Sequence, residues 1–362
     1  MKALTYGGPG RRAWETVPDP TVQEPTDVVV EIGSSTICGT DLHILKGDVP
    51  TVAPGRVLGH EAVGTVVAAG PAVTTVVEGD RVLVSCITAC GRCGFCREGR
   101  YGLCVGGGGW ILGHLIDGLQ AEYARVPFAD TSVHKVPEEL TDEQVLFLAD
   151  ILPTSFEVGV LNGKVQPADT VAVVGAGPIG LAAIMTAQLF TPGRVVAIDL
   201  ADARLEQARR FGADVTVNNG KQDPVAIVKE LTDGLGADVA VEAVGVPATF
   251  ELCTELIRPG GRVANIGVHG QAATLHLETL WIKGVTITTG LVDTFTTPQL
   301  LRLIQGGRLD PTVFATHRFP LEEAMEAYDV FAAAAETHAL KVVLEGERAV
   351  KELPAALAGA VA

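Results

Sequence analysis

Aromatic side chains are scarce in this chain: Phe, Trp and Tyr make up 5% of its 362 residues, while hydrophobic residues as a whole reach 47%. Its cores must therefore be built from Val, Ala, Leu and Ile. Basic charge is also short. There are 27 Lys and Arg against 43 Asp and Glu, giving a formal net charge of −16 and a pI near 4.9. Such a chain repels phosphate backbones, which argues against nucleic acid as a partner. No run of about 18 consecutive apolar residues is present, so no membrane-spanning helix is expected. The opening Met1-Lys2-Ala3-Leu4-Thr5-Tyr6 lacks the long apolar core of an export signal. Seven cysteines without that signal are expected to be reduced thiols in a cytosol.

The length suits two domains at about 100–200 residues each. Up to residue 150 the chain reads as β-rich, with β-branched runs at 27–31, 62–68 and 81–85 bounded by Gly, Pro and Asp. The texture then changes. Strands are expected at 171–174, 194–200, 238–243, 263–268 and 285–289, and helices between them at 178–190, 203–211 and 250–257. Such alternation implies a parallel sheet covered on both faces, an α/β arrangement. Helices at 299–305 and 322–335 and a strand at 339–344 are expected to pack back on the first domain. The predicted division is a first domain over 1–151 with a cysteine lobe at about 88–106, a second domain over 152–291, a return over 292–345, and an Ala-rich tail over 346–362.

Two local patterns carry chemistry on their own. Cys90, Cys93, Cys96 and Cys104 lie within fifteen residues. A short lobe with this spacing can close four sulfurs around one tetrahedral Zn²⁺, as structural zinc sites prefer; two disulfides are the alternative in a secreted chain. Gly175-Ala176-Gly177-Pro178-Ile179-Gly180 fits the dinucleotide fingerprint, because it follows an apolar strand and opens a helix. Gly175 allows the tight turn, Gly177 admits a pyrophosphate, and Gly180 lets helix and strand approach. Pro178 and Ile179 open the helix whose free N–H groups face the phosphates. Asp199 ends the next strand, where a carboxylate binds the adenosine ribose diol and repels a 2′-phosphate, so NAD is favoured over NADP. Arg204 could stack on adenine or pair with Asp199.

Cys38-Gly39-Thr40-Asp41-Leu42-His43 precedes Gly59-His60-Glu61-Ala62-Val63-Gly64. Together with the cysteine lobe and the glycine fingerprint, in this order, the chain resembles the zinc-dependent medium-chain alcohol dehydrogenases over nearly its whole length. The resemblance implies a GroES-like β-rich catalytic domain beside a doubly wound, Rossmann-type NAD domain. It implies two zinc ions per subunit. Cys38 and His60 would ligate the catalytic one, and the third ligand would be Asp150, as in the branches of bacterial secondary-alcohol and formaldehyde dehydrogenases. Glu61 would either join the metal or stand behind it.

The reaction so implied is reversible oxidation of an alcohol to a carbonyl with hydride transfer to NAD. Thr40 and His43 would carry the proton outward by way of the nicotinamide ribose. Thr154, Val244, Gly267, Val268, Leu291 and Lys341 would touch the cofactor. Ile87 and Trp110 fall at pocket positions, with plain core as the alternative for Trp110. A small or medium alcohol, secondary in preference, is the expected substrate, and the ketone its product. A formaldehyde, aldehyde or polyol dehydrogenase is the nearest rival. A non-catalytic NAD-binding structural protein is the rival of another class, and a zinc-ribbon nucleic-acid binder leaves the acidic charge and the glycine fingerprint unexplained. Family members are commonly homotetramers, and dimers occur; strand 285–289 could extend a sheet across an interface.

Overall fold

The β-branched run at Asp27 grows into a nine-residue strand, Val28–Thr36, around which the first unit is built. The computed structural model describes residues 1–347; the tail expected over 346–362 lies outside the described residues from residue 348 onward. Two units separate by their contacts, one formed by Met1–Asp150 with the chain from Asp293, the other by Ile151–Val292.

In the first unit Val28–Thr36 pairs antiparallel with Ala62–Ala69, Tyr123–Val126 and Lys341–Glu345 within a seven-stranded sheet. Gly64 is the contact that lets two strands meet, since a Cβ there would stand 2.1 Å from the Glu31 carbonyl oxygen. Val28, Val30, Ile32, Val66, Val82 and Val84 fill one core. A second core gathers Leu4, Tyr6, Ile37, Ile44 and Leu58 with Tyr328 and Phe331. The last two come from helix Ala324–Ala332, so the returning segment completes the unit. That helix is shorter than the sequence suggested, because the chain breaks at Ala333 before a further turn at Ala334–Thr337.

The second unit carries six parallel strands in the order Val215–Asn218, Arg194–Asp199, Thr170–Val174, Ala237–Glu242, Ile257–Asn265 and Thr286–Thr289. This is the doubly wound order that places a crevice where the winding reverses, between Thr170–Val174 and Ala237–Glu242. Strand interiors such as Val171, Ala172, Val173 and Val196 are fully buried, as sheets covered on both faces require. Helix Pro247–Leu256 starts earlier than expected because Pro247 occupies its first turn, a position proline favours. Strand Ile257–Asn265 ends before residues 266–268 expected within it; Gly267 there is pressed against Glu242 and Gly245.

One helical stretch, Asp142–Leu161, has the length and mean hydropathy (1.4) to cross a bilayer by length and composition alone. Its acidic residues hid it from a search for unbroken apolar runs. With 78% of its apolar window buried inside the protein, it is a core helix.

Candidate functional site

Helix Gly39–Lys46 fixes the first donor. Cys38 is its N-cap, and the Asp41 carboxylate accepts from the Cys38 backbone N–H at 2.9 Å, so the helix start and the thiol are held together. Gly59 (φ +91°) turns the chain into His60 and Glu61; a Cβ on Gly59 would strike Gln120 Cγ at 2.5 Å. Asp150 is the last residue of the first unit before Ile151. Cys38, His60, Glu61 and Asp150 thus bring one donor atom each to within 4.8 Å of one another. His60 Nε2 stands 3.3 Å from Asp150 Oδ2, and Cys38 Sγ stands 3.6 Å from the same oxygen.

The charges in this pocket are informative. Lys341 is buried, donating to Glu61 Oε1 at 2.7 Å and to the Ile37 carbonyl at 3.0 Å. Burial disfavours its charge, but the Glu61 carboxylate and the Cys38 sulfur beside it outweigh that and raise its pKa. Glu61 Oε2 is buried without a partner. With Glu61 and Lys341 cancelling each other, Cys38 and Asp150 remain, and a thiolate, a carboxylate and a neutral imidazole balance a dication. Burial pushes the Cys38 thiol up. Burial also opposes charge on His60, yet Asp150 and Cys38 outweigh it and hold the imidazole well above its usual pKa. The pocket attracts positive charge, and its sulfur, nitrogen and oxygen donors suit Zn²⁺.

The lobe forms a second donor set. Cys90, Cys93, Cys96 and Cys104 lie within 4.8 Å of one another, with Sγ–Sγ separations of 3.4 Å for Cys93–Cys96 and 3.9 Å for Cys90–Cys96. Four Zn–S bonds of about 2.3 Å arranged tetrahedrally would hold sulfurs about 3.8 Å apart. Backbone N–H groups at Cys96 and Val105 hold the Cys93 thiol down at about 6, as a metal-binding thiolate needs. Gly106 is the close approach here, because a Cβ would stand 2.4 Å from Cys90 Sγ.

In the second unit Gly175 (φ +101°) makes the turn after Thr170–Val174, and a Cβ on Gly180 would fall 1.9 Å from the Gly175 carbonyl oxygen. A Cβ on Gly177 would meet nothing within 4 Å, so this turn leaves an open cradle at the start of helix Pro178–Ala187. Asp199 is tied to that cradle: its carboxylate accepts from Ala176 N–H and from Ala201 N–H, both at 2.8 Å. The arrangement fits a dinucleotide.

Comparison with known proteins decides the family. Residues 24–138 match the alcohol dehydrogenase GroES-like domain, and residues 178–306 match the zinc-binding dehydrogenase family. An alcohol dehydrogenase of Cupriavidus necator is 39% identical over 354 residues, covering 92% of this chain and 95% of that protein. The chain belongs to the zinc-dependent medium-chain alcohol dehydrogenases. Among solved dehydrogenases, zinc dependent alcohol dehydrogenase 2 from Streptococcus pneumonia in its apo form is 48% identical (TM-score 0.92; 96% of this chain, 99% of that one). The alcohol dehydrogenase of Thermus sp. ATN1 is 38% identical (TM-score 0.89; 96% and 100%). This dehydrogenase is thus an oxidoreductase of the alcohol dehydrogenase type, of a family that works with zinc and NAD(P).

The remaining expected positions of the dehydrogenase fall as follows. Thr40 Oγ1 is 3.7 Å from Cys38 Sγ. His43 Nδ1 meets Asp48 Oδ2 at 2.8 Å at the surface. Lys341, expected at the cofactor, is buried and donates to Glu61 and to the Ile37 carbonyl. Arg204 is exposed on helix Asp202–Arg210, and the Asp199 oxygens are taken by backbone N–H groups rather than by a guanidinium. Val244, Val268 and Leu291 are exposed in the second unit, and Thr154 is half-buried. Ile87 is fully buried, while Trp110 is half-buried and stacked on His114 at 4.3 Å between ring centroids.

Sequence reasoning gave no role to Asp41, Cys86, Gln120 or Tyr328. Asp41 Oδ1 lies 3.7 Å from His60 Nδ1. Cys86 is buried close to the same pocket, its pKa pushed well up by burial and then by the Asp150 and Glu61 charges. Asp41 stood inside a quoted motif and was legible; nothing local marks the other three.

Proposed function

We propose that this chain catalyses the reversible oxidation of a small or medium secondary alcohol to its ketone with NAD, using a zinc ion held by Cys38, His60 and Asp150. The observation that carries this reading is the convergence of those three donors, with buried Glu61 beside them neutralised by Lys341. When bound, zinc supplies a Lewis acid for the substrate oxygen, and NAD supplies the hydride acceptor. The Thr40 hydroxyl, beside Cys38, would accept the proton that leaves the substrate hydroxyl while giving its own proton outward, by way of the nicotinamide ribose, to His43. His43, polarised by Asp48 and partly exposed, releases a proton to solvent. Glu61, held by Lys341, keeps one free oxygen toward the donors and can enter the metal's shell.

Asp199, fixed at the mouth of the glycine cradle, disfavours a 2′-phosphate and favours NAD. The cysteine lobe takes a second, structural zinc. Free cysteines throughout suit a reducing cytosol. Strand Thr286–Thr289 edges its sheet, and Leu277, Trp281 and Ile282 nearby in sequence are exposed. These features favour a homotetramer, or a dimer, paired through that edge.

Steady-state rates with 2-propanol, formaldehyde and sorbitol, each with NAD and NADP, test the proposal. Turnover highest with 2-propanol and NAD is the expected result. A higher kcat/KM for formaldehyde or sorbitol would transfer the reading to the aldehyde or polyol class.

A further inference from the structure

A buried chain of hydrogen bonds runs from the returning segment to the proposed metal ligand. Tyr328, on helix Ala324–Ala332, donates its hydroxyl to Gln120 Oε1 at 2.8 Å. Gln120 Nε2 donates to the Thr36 carbonyl at 3.1 Å and to Asp41 Oδ2 at 3.2 Å. Asp41 Oδ2 also accepts from Cys38 N–H, and Asp41 Oδ1, which has no hydrogen-bond partner, faces His60 Nδ1 at 3.7 Å. Tyr328, Gln120 and Asp41 are each at most 1% exposed.

The direction of this chain is set at its far end. Burial pushes the Tyr328 pKa well up, so the phenol stays protonated and acts as a donor. A donor at that end keeps the Gln120 amide oxygen toward Tyr328 and both amide hydrogens toward Thr36 and Asp41. A flipped amide would set its oxygen against a carbonyl and a carboxylate. Held in this way, Asp41 keeps its second oxygen 3.7 Å from Nδ1 of His60, so that a proton on Nδ1 would leave Nε2, beside Cys38 and Asp150, for a metal. Gln120 is also bound to the backbone just before His60, since its N–H donates to the Leu58 carbonyl at 2.9 Å and Leu119 N–H donates to Gly59 at 3.0 Å.

We propose that Tyr328 is a positioning residue for the metal centre: acting through Gln120 and Asp41, it fixes the tautomer and orientation of His60 and so tightens the hold on the metal. This rests on the reading of Cys38, His60 and Asp150 as metal ligands.

The test measures zinc affinity by chelator competition in the full chain, site by site, with the four-cysteine lobe as internal reference. It adds the visible absorption of the cobalt-substituted protein. Tyr328→Phe is expected to weaken the proposed catalytic site by about tenfold, the lower end of what outer-shell partners of metal ligands contribute, and to shift the cobalt bands. The lobe's affinity is expected to stay unchanged. Tyr328→Phe also leaves the Gln120 oxygen unpaired, so the double variant Tyr328→Phe/Gln120→Met is measured beside it. The double variant removes that unpaired oxygen but also the donors to Thr36 and Asp41, so affinity is expected to stay at least tenfold below wild type whatever the thermal stability. Wild-type affinity and unchanged cobalt bands in either variant overturn the proposal. Affinity that returns with stability in the double variant also overturns it, because the role is then structural. Wild-type protein that binds one zinc only, at the lobe, overturns the ligand assignment itself, an outcome distinct from the others.

Discussion

Lys341→Met is the substitution that probes the electrostatics of the metal pocket most directly. The ammonium lies 2.7 Å from Glu61 Oε1, and both side chains are at most 1% exposed. Removing it strands a carboxylate whose other oxygen already lacks a partner, and takes a donor from the Ile37 carbonyl. A lone buried charge left by breaking such a pair costs about 3–5 kcal/mol, and an unpaired carbonyl adds about 1 kcal/mol. Glu61 can limit this loss by taking up a proton. From an ordinary carboxyl pKa near 4.5 to pH 7, that uptake costs roughly 3–4 kcal/mol. The net expectation for the metal-free protein at pH 7 is a loss of about 4 kcal/mol, or roughly 8–16 °C in unfolding midpoint. The pH sign follows. In the variant the folded state binds a proton that the unfolded state lacks above pH 4.5, so the deficit shrinks on acidification, by about 1.4 kcal/mol per pH unit. Thermal scans of wild type, Lys341→Met and Glu61→Gln/Lys341→Met at pH 7 and 5.5 read all three effects, and the double variant is expected to recover most of the loss. A deficit under about 1 kcal/mol, equal at both pH values, would refute the reasoning, since the pair would then behave as a solvated surface contact.

Asp150→Ala is expected to remove one metal and abolish turnover while NAD binding, measured by fluorescence titration, persists; turnover near wild type would reject Asp150 as a ligand. Gly180→Ala places a methyl 1.9 Å from the Gly175 carbonyl oxygen, so NAD affinity should fall by at least tenfold with both metals retained, as isothermal titration and metal analysis would show. His134, its pKa driven by burial from 6.5 down to about 4, gives the fold an acid sensitivity. Between those values the unfolded state holds the proton and the folded state does not, so stability falls as pH drops below 6.5, by about 2 kcal/mol at pH 5. His134→Gln should flatten the unfolding midpoint between pH 7 and 5, and an unchanged slope would show that another group titrates.

The parts of the molecule that could be read in advance are those whose chemistry is local. The glycine fingerprint, the cysteine lobe and the pairs Cys38–Thr40 and His60–Glu61 each occupy a few consecutive residues. The alternation after Asp150 encodes a parallel sheet because apolar strand cores and helices differ in period. What escaped notice lies far apart along the chain. Tyr328 meets Gln120 across 208 residues and Lys341 meets Glu61 across 280, and no periodicity marks either pair. A lysine on a strand ordinarily points to solvent; Lys341 is buried instead, held by Glu61 and the Ile37 carbonyl. The apolar character of Asp142–Leu161 escaped for a different reason: acidic residues interrupt it, so no unbroken apolar run marks it.

The shortage of aromatic rings has a practical side. With only three indoles, the chain carries few fluorophores, and they occupy contrasting environments. Trp14 packs on the core that holds Tyr328, Trp110 is stacked on the His114 ring, and Trp281 is exposed to water. Intrinsic emission from Trp281 can therefore follow self-association without any added dye.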